Sequence, residues 1–428
     1  MCRCCTPPSV APGDEVALKL RAHSPADCTV TVHRLRENPD GSVGVAVAGP
    51  YSAAADVLAV SVGQWQNGCG WDDTLVFRTE AGWPSGLYSL RCEADGHKTA
   101  DAVFVLRPGA ERHRFLVLAN TNCWNAYNPW GGRSNYTQTS VGVTLSFERP
   151  NFETAPSALA DDGYVANHLS AAEIWFLTWL ENEGYAADVC SDKDFHDGEP
   201  EPAAYDAMVL STHPEYWSQT MAARLQAYLD GGGKLLYLGG NGIFRQVEYA
   251  ADGRAMTTAS DLSWYCGNAW PGGPKPRTLL GVAYDFVHAG GLTQTPCGYV
   301  IVAADRRFFA GTGLANGDVI GAEGLWGGAC GWEVDTAIDF GEGNGPPPPN
   351  LQILAHGQNV ARATETAEAP GVEPGLRALK GYTGHMTYYE TGAGGFVFSI
   401  GSITFGGSLV IDPVLQTILR NALDACVR

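Results

Sequence analysis

Between Val16 and Leu106 apolar and polar residues alternate in short runs, such as Cys28-Thr29-Val30-Thr31-Val32-His33-Arg34-Leu35 and Leu87-Tyr88-Ser89-Leu90-Arg91-Cys92, broken by Gly, Pro, Asp and Asn. A period of two between turn residues predicts strands with one buried face, and several in succession predict a small antiparallel, immunoglobulin-like β-sandwich. Pro108-Gly109 closes the run, which sets a first domain over residues 1–109.

The period then changes. Phe115-Leu116-Val117-Leu118-Ala119 is apolar throughout, as in a strand covered on both faces. Ser170 and Glu173 have capping-box spacing ahead of Ile174, Trp175, Leu177 and Leu180; Gly184 supplies a stop, and a strand from Tyr185 to Cys190 follows. The order repeats as a strand from Ala207 to Leu210, a helix capped by Ser218 and running through Tyr228, the stop Gly231-Gly232-Gly233, and a strand from Lys234 to Leu238. Such alternation predicts an α/β fold with a mostly parallel sheet over residues 110–428. Residues from about 251 to 380 are rich in Gly, Pro and aromatics and read as inserted strands and long loops over the active edge of that sheet. Phe396 to Ile400 and a helix from Val414 to Cys426 return to the α/β core.

Composition narrows the partners. A formal charge of −19, from 46 acidic against 27 basic residues, argues against nucleic acid and anionic membrane surfaces. No stretch reaches the roughly 18 apolar residues of a membrane span, and Met1 to Pro8 lacks the apolar core of a signal peptide, so a cytoplasmic protein is expected. Twelve cysteines at irregular spacing, with Cys28, Cys69, Cys92 and Cys190 in apolar or strand-like runs, read as reduced structural thiols.

Candidate chemistry gathers at strand ends. Ser211-Thr212-His213-Pro214-Glu215-Tyr216-Trp217-Ser218 puts an imidazole and a carboxylate just after an apolar strand, where open α/β sheets keep their sites. His213 and Glu215 stand two apart, on one side of an extended chain, with His213 as a supporting donor. The loop from Thr121 to Tyr136 follows the first α/β strand; its phenols Tyr127 and Tyr136, with Glu215, form a hard oxygen-donor set suited to Fe(III), or else are ordinary loop aromatics. In Leu238-Gly239-Gly240-Asn241-Gly242 an asparagine stands where glutamine-amidotransferase-like folds present a cysteine nucleophile, which excludes thiolate chemistry at that turn and leaves an oxyanion contact or a turn residue. Glu333 in Gly331-Trp332-Glu333-Val334-Asp335 lies beside an indole that would desolvate it toward general acid or base work. Thr387-Tyr388-Tyr389-Glu390 reads as pocket wall, and His168, His196 and His385 as structural.

Asn125-Ala126-Tyr127-Asn128, Trp130-Gly131-Gly132, Ser134-Asn135-Tyr136, Thr212 to Ser218, Leu238 to Gly242, Phe309-Ala310-Gly311-Thr312-Gly313-Leu314, Gly331-Trp332-Glu333 and Phe398 to Ser402 together resemble the large (β) subunit family of N,N-dimethylformamidase, over roughly Arg114 to Arg428. The resemblance implies a glutamine-amidotransferase-like fold and an amidohydrolase with one mononuclear Fe(III) held by Tyr127, Tyr136 and Glu215. It further implies Glu333 as the catalytic carboxylate, and His213 and Asn241 either as groups that support the metal ligands or as contacts to the oxyanion. The loop between Tyr127 and Tyr136 is short, so Tyr164 and Tyr216 stand as alternative second phenols. The implied partners are a small amide substrate, a small partner subunit and further copies of the chain. A non-catalytic relative binding a sugar or another ligand in an aromatic cleft is the competing expectation.

Overall fold

In the computed structural model the described residues are 1–137, 142–156, 169–258, 273–285, 294–341, 343–358, 361–362 and 381–427. By contact density the chain falls into two compact units that do not divide at residue 109. The first is Met1–Glu201 with Val247–Leu262, and the second is Pro202–Gln246 with Ser263–Arg428.

The alternating N-terminal runs form the expected strands. Ala26–Glu37 lies antiparallel between Val43–Val57 and Gly86–Glu93, with Ala100–Leu106 beyond. Glu15–Ala22 pairs with Cys2–Thr6 and Leu75–Arg78. Val43–Val57 is long enough to serve both groups, because its end, Asp56 and Val57, pairs with Arg21 and Ala22. Every second residue of Glu15–Ala22 is buried, and Val16, Leu18 and Leu20 share one core with Val30, Val32, Leu90 and Phe104. Removal of those side chains from water is the main stabilising term of such a layer, at about 1.5–3 kcal/mol each.

In the same unit Phe115–Ala119, buried throughout, pairs in parallel with Ala187–Ser191. The helix between them runs Ser170–Asn182 but does not start as the capping-box spacing predicts: Leu169 holds the N-cap position and no side chain caps it. Glu173 is instead buried and accepts from Trp124 Nε1 at 2.8 Å and Asn120 Nδ2 at 3.2 Å. A tertiary partner has outcompeted the local one.

In the larger sheet of the second unit Ala207–Thr212, Lys234–Gly239 and Phe396–Ser399 pair in parallel. His385–Glu390, Gln352–Gly357, Tyr299–Ile301 and Val319–Ile320 continue the sheet in antiparallel fashion. The parallel part is therefore narrower than the βα alternation suggests, because strands of the inserted segment join the sheet as neighbours of opposite direction. Ser218 caps the helix Gln219–Asp230 by accepting from Met221 N at 3.1 Å. Pro413–Val427 buries Leu415, Ile418, Leu419, Ala422 and Leu423 on one stripe. Among the described residues no helix is long and apolar enough to cross a membrane.

Candidate active site

In the second unit the strand Ala207–Thr212 ends at a residue with φ of 60°, and the chain turns through His213 and Pro214 to Glu215. Backbone bonds pin this turn to the loop after the next strand: Ile243 N donates to Pro214 O at 2.9 Å, and Phe244 N and Arg245 N donate to Glu215 O at 3.0 and 2.9 Å. Tyr216 and Trp217 then pair in parallel with Arg245 and Gln246.

The glycines around Asn241 are there for close approach. A Cβ on Gly240 would lie 2.2 Å from Glu333 O and 2.7 Å from Ile403 N, and one on Gly239 would lie 2.6 Å from Thr212 O. Both are below any real contact, so only glycine lets this turn sit against the segments bearing His213 and Glu333. Glu333 follows the short strand Cys330–Trp332, and Asp335 lies two residues on, paired with Tyr284 across a second short ladder.

These elements bring His213, Glu215, Asn241 and Glu333 together. His213 Nε2 is 2.9 Å from Glu333 Oε2 and 3.4 Å from Glu215 Oε2. Asn241 Nδ2 donates to the same Glu333 Oε2 at 2.9 Å, while its backbone N donates to Asp335 Oδ1 at 2.7 Å. Tyr237 OH donates to Asp335 Oδ2 at 2.6 Å and accepts from Gly242 N at 2.7 Å. Arg245 Nε stands 3.4 Å from Glu215 Oε1. His213 is 0% exposed and Glu215 and Asn241 are 2% exposed, whereas the Glu333 side chain keeps 13% of its surface open.

Burial sets the electrostatics. It pushes the His213 imidazole down, but the charges of Glu333, Glu215 and Asp335 outweigh it and hold the group above its ordinary value. Burial raises the Asp335 carboxyl to about 7, against the opposing hydrogen bonds from Tyr237 and Asn241. The Tyr237 phenol is driven well up by burial and by Asp335.

Backbone strain marks the same place. Thr212, Asn241, Ile243 and Trp332 are the non-glycine residues with positive φ among the described residues, between 54° and 60°. Each is a site residue or stands next to, or two from, one. Left-handed backbone costs about 1–2 kcal/mol per residue outside glycine, and such cost concentrates where geometry serves function.

The first unit holds the phenols. Tyr127 ends the helix Thr121–Tyr127, and its ring lies 4.4 Å from that of Tyr136, centroid to centroid, with the planes 38° apart. The nine-residue separation is therefore short enough to pair them, with Tyr136 the more open at 42% exposed. Tyr216 is buried in its strand, and Tyr164 and His168 lie outside the described residues.

Three details differ from the sequence reading. The amide nitrogen of Asn241 is engaged with Glu333, which leaves its second N–H for any oxyanion. The Trp332 indole stacks on Trp326 at 4.8 Å, and the polar neighbours of Glu333 are His213 and Asn241. Asp335, Tyr237 and Arg245 were missed; the two-residue spacing of Glu333 and Asp335 was the available signal. His385, read as structural, bonds Thr336 Oγ1 at 3.1 Å, and burial pushes it down to about 3.

A strand-end constellation of imidazole, amide and carboxylates is shared by many hydrolytic sites, and the sequence comparisons narrow the choice. The chain belongs to the family described as N,N-dimethylformamidase beta subunit-like, C-terminal, which matches residues 29–418. The match begins within Ala26–Glu37, so most of the N-terminal strands are included and not only the region after Arg114. The chain is 24% identical to an N,N-dimethylformamidase beta subunit of Alcaligenes sp., over 84% of this chain and 55% of that protein. It is also 24% identical to the N,N-dimethylformamidase beta subunit of Paracoccus aminophilus, over 80% and 52% respectively. It thus spans about half the length of these relatives. Among solved structures, a ThuA-like protein of Bacteroides uniformis aligns over 75% of this chain and 93% of its own, at 12% identity and a TM-score of 0.35.

Proposed function

We propose that this protein is an iron-dependent amidohydrolase that cleaves the C–N bond of a small N-substituted amide of the N,N-dimethylformamide kind, on an α/β unit related to glutamine amidotransferases. The observation that carries the reading is the convergence of His213 Nε2 and Asn241 Nδ2 on one oxygen of Glu333, inside a buried and strained strand-end turn. An amide N–H donated to that oxygen and an imidazole nitrogen 2.9 Å from it hold the carboxylate's orientation, as a proton-transfer group requires.

The metal set is that implied by the family: Tyr127, Tyr136 and Glu215 with Fe(III). The donors suit a hard cation. The two phenol rings are already paired, and the Glu215 carboxylate is buried. When bound, the iron supplies Lewis acidity to an amide oxygen or a water. The chain's own groups do the rest. Glu333 takes the proton of the attacking water and returns it to the departing amine nitrogen. His213 and the second N–H of Asn241 face the oxyanion, and Asp335 and Tyr237 hold the Asn241 backbone in its strained turn.

The relatives are named as β subunits, and we assign this chain a partner subunit on that ground, with self-association in addition. Amine release from a panel of formamides and acetamides, compared with Glu215→Ala, tests the activity. Release by the wild type that falls at least about a hundredfold in the variant supports it. Tight binding of an amide or sugar with no amine released, with or without added iron, would instead identify a binding protein.

A further inference from the structure

The helix and loop that carry both phenols are organised around a side chain outside the sequence motifs. Arg149 is 2% exposed and makes six hydrogen bonds, all to neutral oxygens. Its Nη1 donates to the carbonyls of Asn128, Trp130 and Arg133 at 3.1, 3.0 and 3.0 Å. Its Nη2 donates to both the carbonyl and the side-chain oxygen of Asn125, at 2.9 and 2.8 Å, and its Nε to Ser146 O at 2.9 Å. Four of these five partners lie on the stretch from Asn125 to Arg133, which begins two residues before Tyr127 and ends three before Tyr136.

That stretch cannot organise itself. It leaves the helix at Tyr127, turns through Gly131 and Gly132 at φ of 83° and 90°, and points its carbonyls inward. Buried carbonyls need donors, and the forked guanidinium can supply five N–H groups from one point. Burying that cation without a carboxylate among its six acceptors is costly, and burial pulls its pKa down to about 9. An apolar residue would fill the space more cheaply but would bond no carbonyl.

We infer that Arg149 is the positioning residue of the two-phenol loop: it fixes the backbone of 125–133 so that Tyr127 and Tyr136 are paired before any metal arrives. This rests on the assignment of both tyrosines as iron ligands, and the experiment separates the two ideas. Metal-free wild type, Tyr127→Phe, Arg149→Lys and Arg149→Ala are titrated with ferric nitrilotriacetate while the visible phenolate absorption is followed. Amide hydrogen exchange across 125–136 and thermal melting are recorded on the same metal-free samples.

The expected result is a band in the wild type that is bleached in Tyr127→Phe. Arg149→Lys should keep its cooperative melt, weaken iron binding at least tenfold and raise exchange in 125–136 at least tenfold with the rest of the unit unchanged. Methylguanidinium should restore the band of Arg149→Ala, a rescue that general destabilisation would not give. Wild-type iron affinity with unchanged local exchange in Arg149→Lys overturns the inference, as does exchange that rises evenly over the whole unit. If the wild type shows no band, the ligand assignment fails, and the local exchange alone then decides whether Arg149 orders the loop.

Discussion

Glu333 and Asp335 lie two residues apart and are given opposite tasks by their surroundings. Glu333 faces His213 and Asn241, whereas Asp335 is sealed among Tyr237 and the backbone of Asn241, with its carboxyl raised from 3.8 to about 7. An acid whose folded pKa exceeds its unfolded value holds its proton more tightly when folded, so its contribution is most favourable below about pH 4 and is lost as pH rises toward about 7. A shift of this size corresponds to roughly 4 kcal/mol. Asp335→Asn should flatten that slope: between about pH 5 and about pH 7.5 the wild type loses urea resistance and the variant loses much less. Parallel losses in the two proteins would show that Asp335 does not titrate in this window. The sequence made Glu215, Asn241 and Glu333 legible because each stands in a glycine- or proline-marked strand end. It concealed Arg149, whose bonds all go to main-chain oxygens of no sequence identity but one, that of the Asn125 side chain.

At the level of elements, buried strands and their following helices could be read because burial on both faces leaves an unbroken apolar run, as in Phe115–Ala119 and Ala207–Thr212. The direction of the later strands could not, since Phe396–Ser399 pairs in parallel with Lys234–Gly239 on one side and antiparallel with the likewise buried His385–Glu390 on the other, and burial alone does not set direction. The Gly239-Gly240 turn is where the strand Lys234–Gly239 and the segment bearing Glu333 come nearest, and its fit depends on a missing side chain. Gly240→Ala places a methyl against the Glu333 carbonyl, with overpacking worth about 1–3 kcal/mol. The segment carrying Glu333 must then retreat, and a displacement near 1 Å at a reacting group costs about a hundredfold in rate. The expected variant is folded, melts somewhat lower and turns over amide about a hundred times more slowly with little change in KM. Unaltered kcat would mean that the Glu333 position is not set by this contact.

For the whole molecule, the family match from residue 29 takes in most of the N-terminal strands together with the candidate site. Iron held by the ligands proposed above, Tyr127, Tyr136 and Glu215, would bind the native chain and not the unfolded one. Ligand present at a hundred times its Kd stabilises the native state by about 2.7 kcal/mol. For a chain of this length that is a rise of about 3 °C in Tm. Iron-loaded wild type should therefore melt higher than chelated wild type in a single shifted transition. Glu215→Ala should melt alike in both states, because the proposed carboxylate ligand is gone. Tyr127→Phe should behave as Glu215→Ala does, and a shift that survives in either variant would place the iron on other residues.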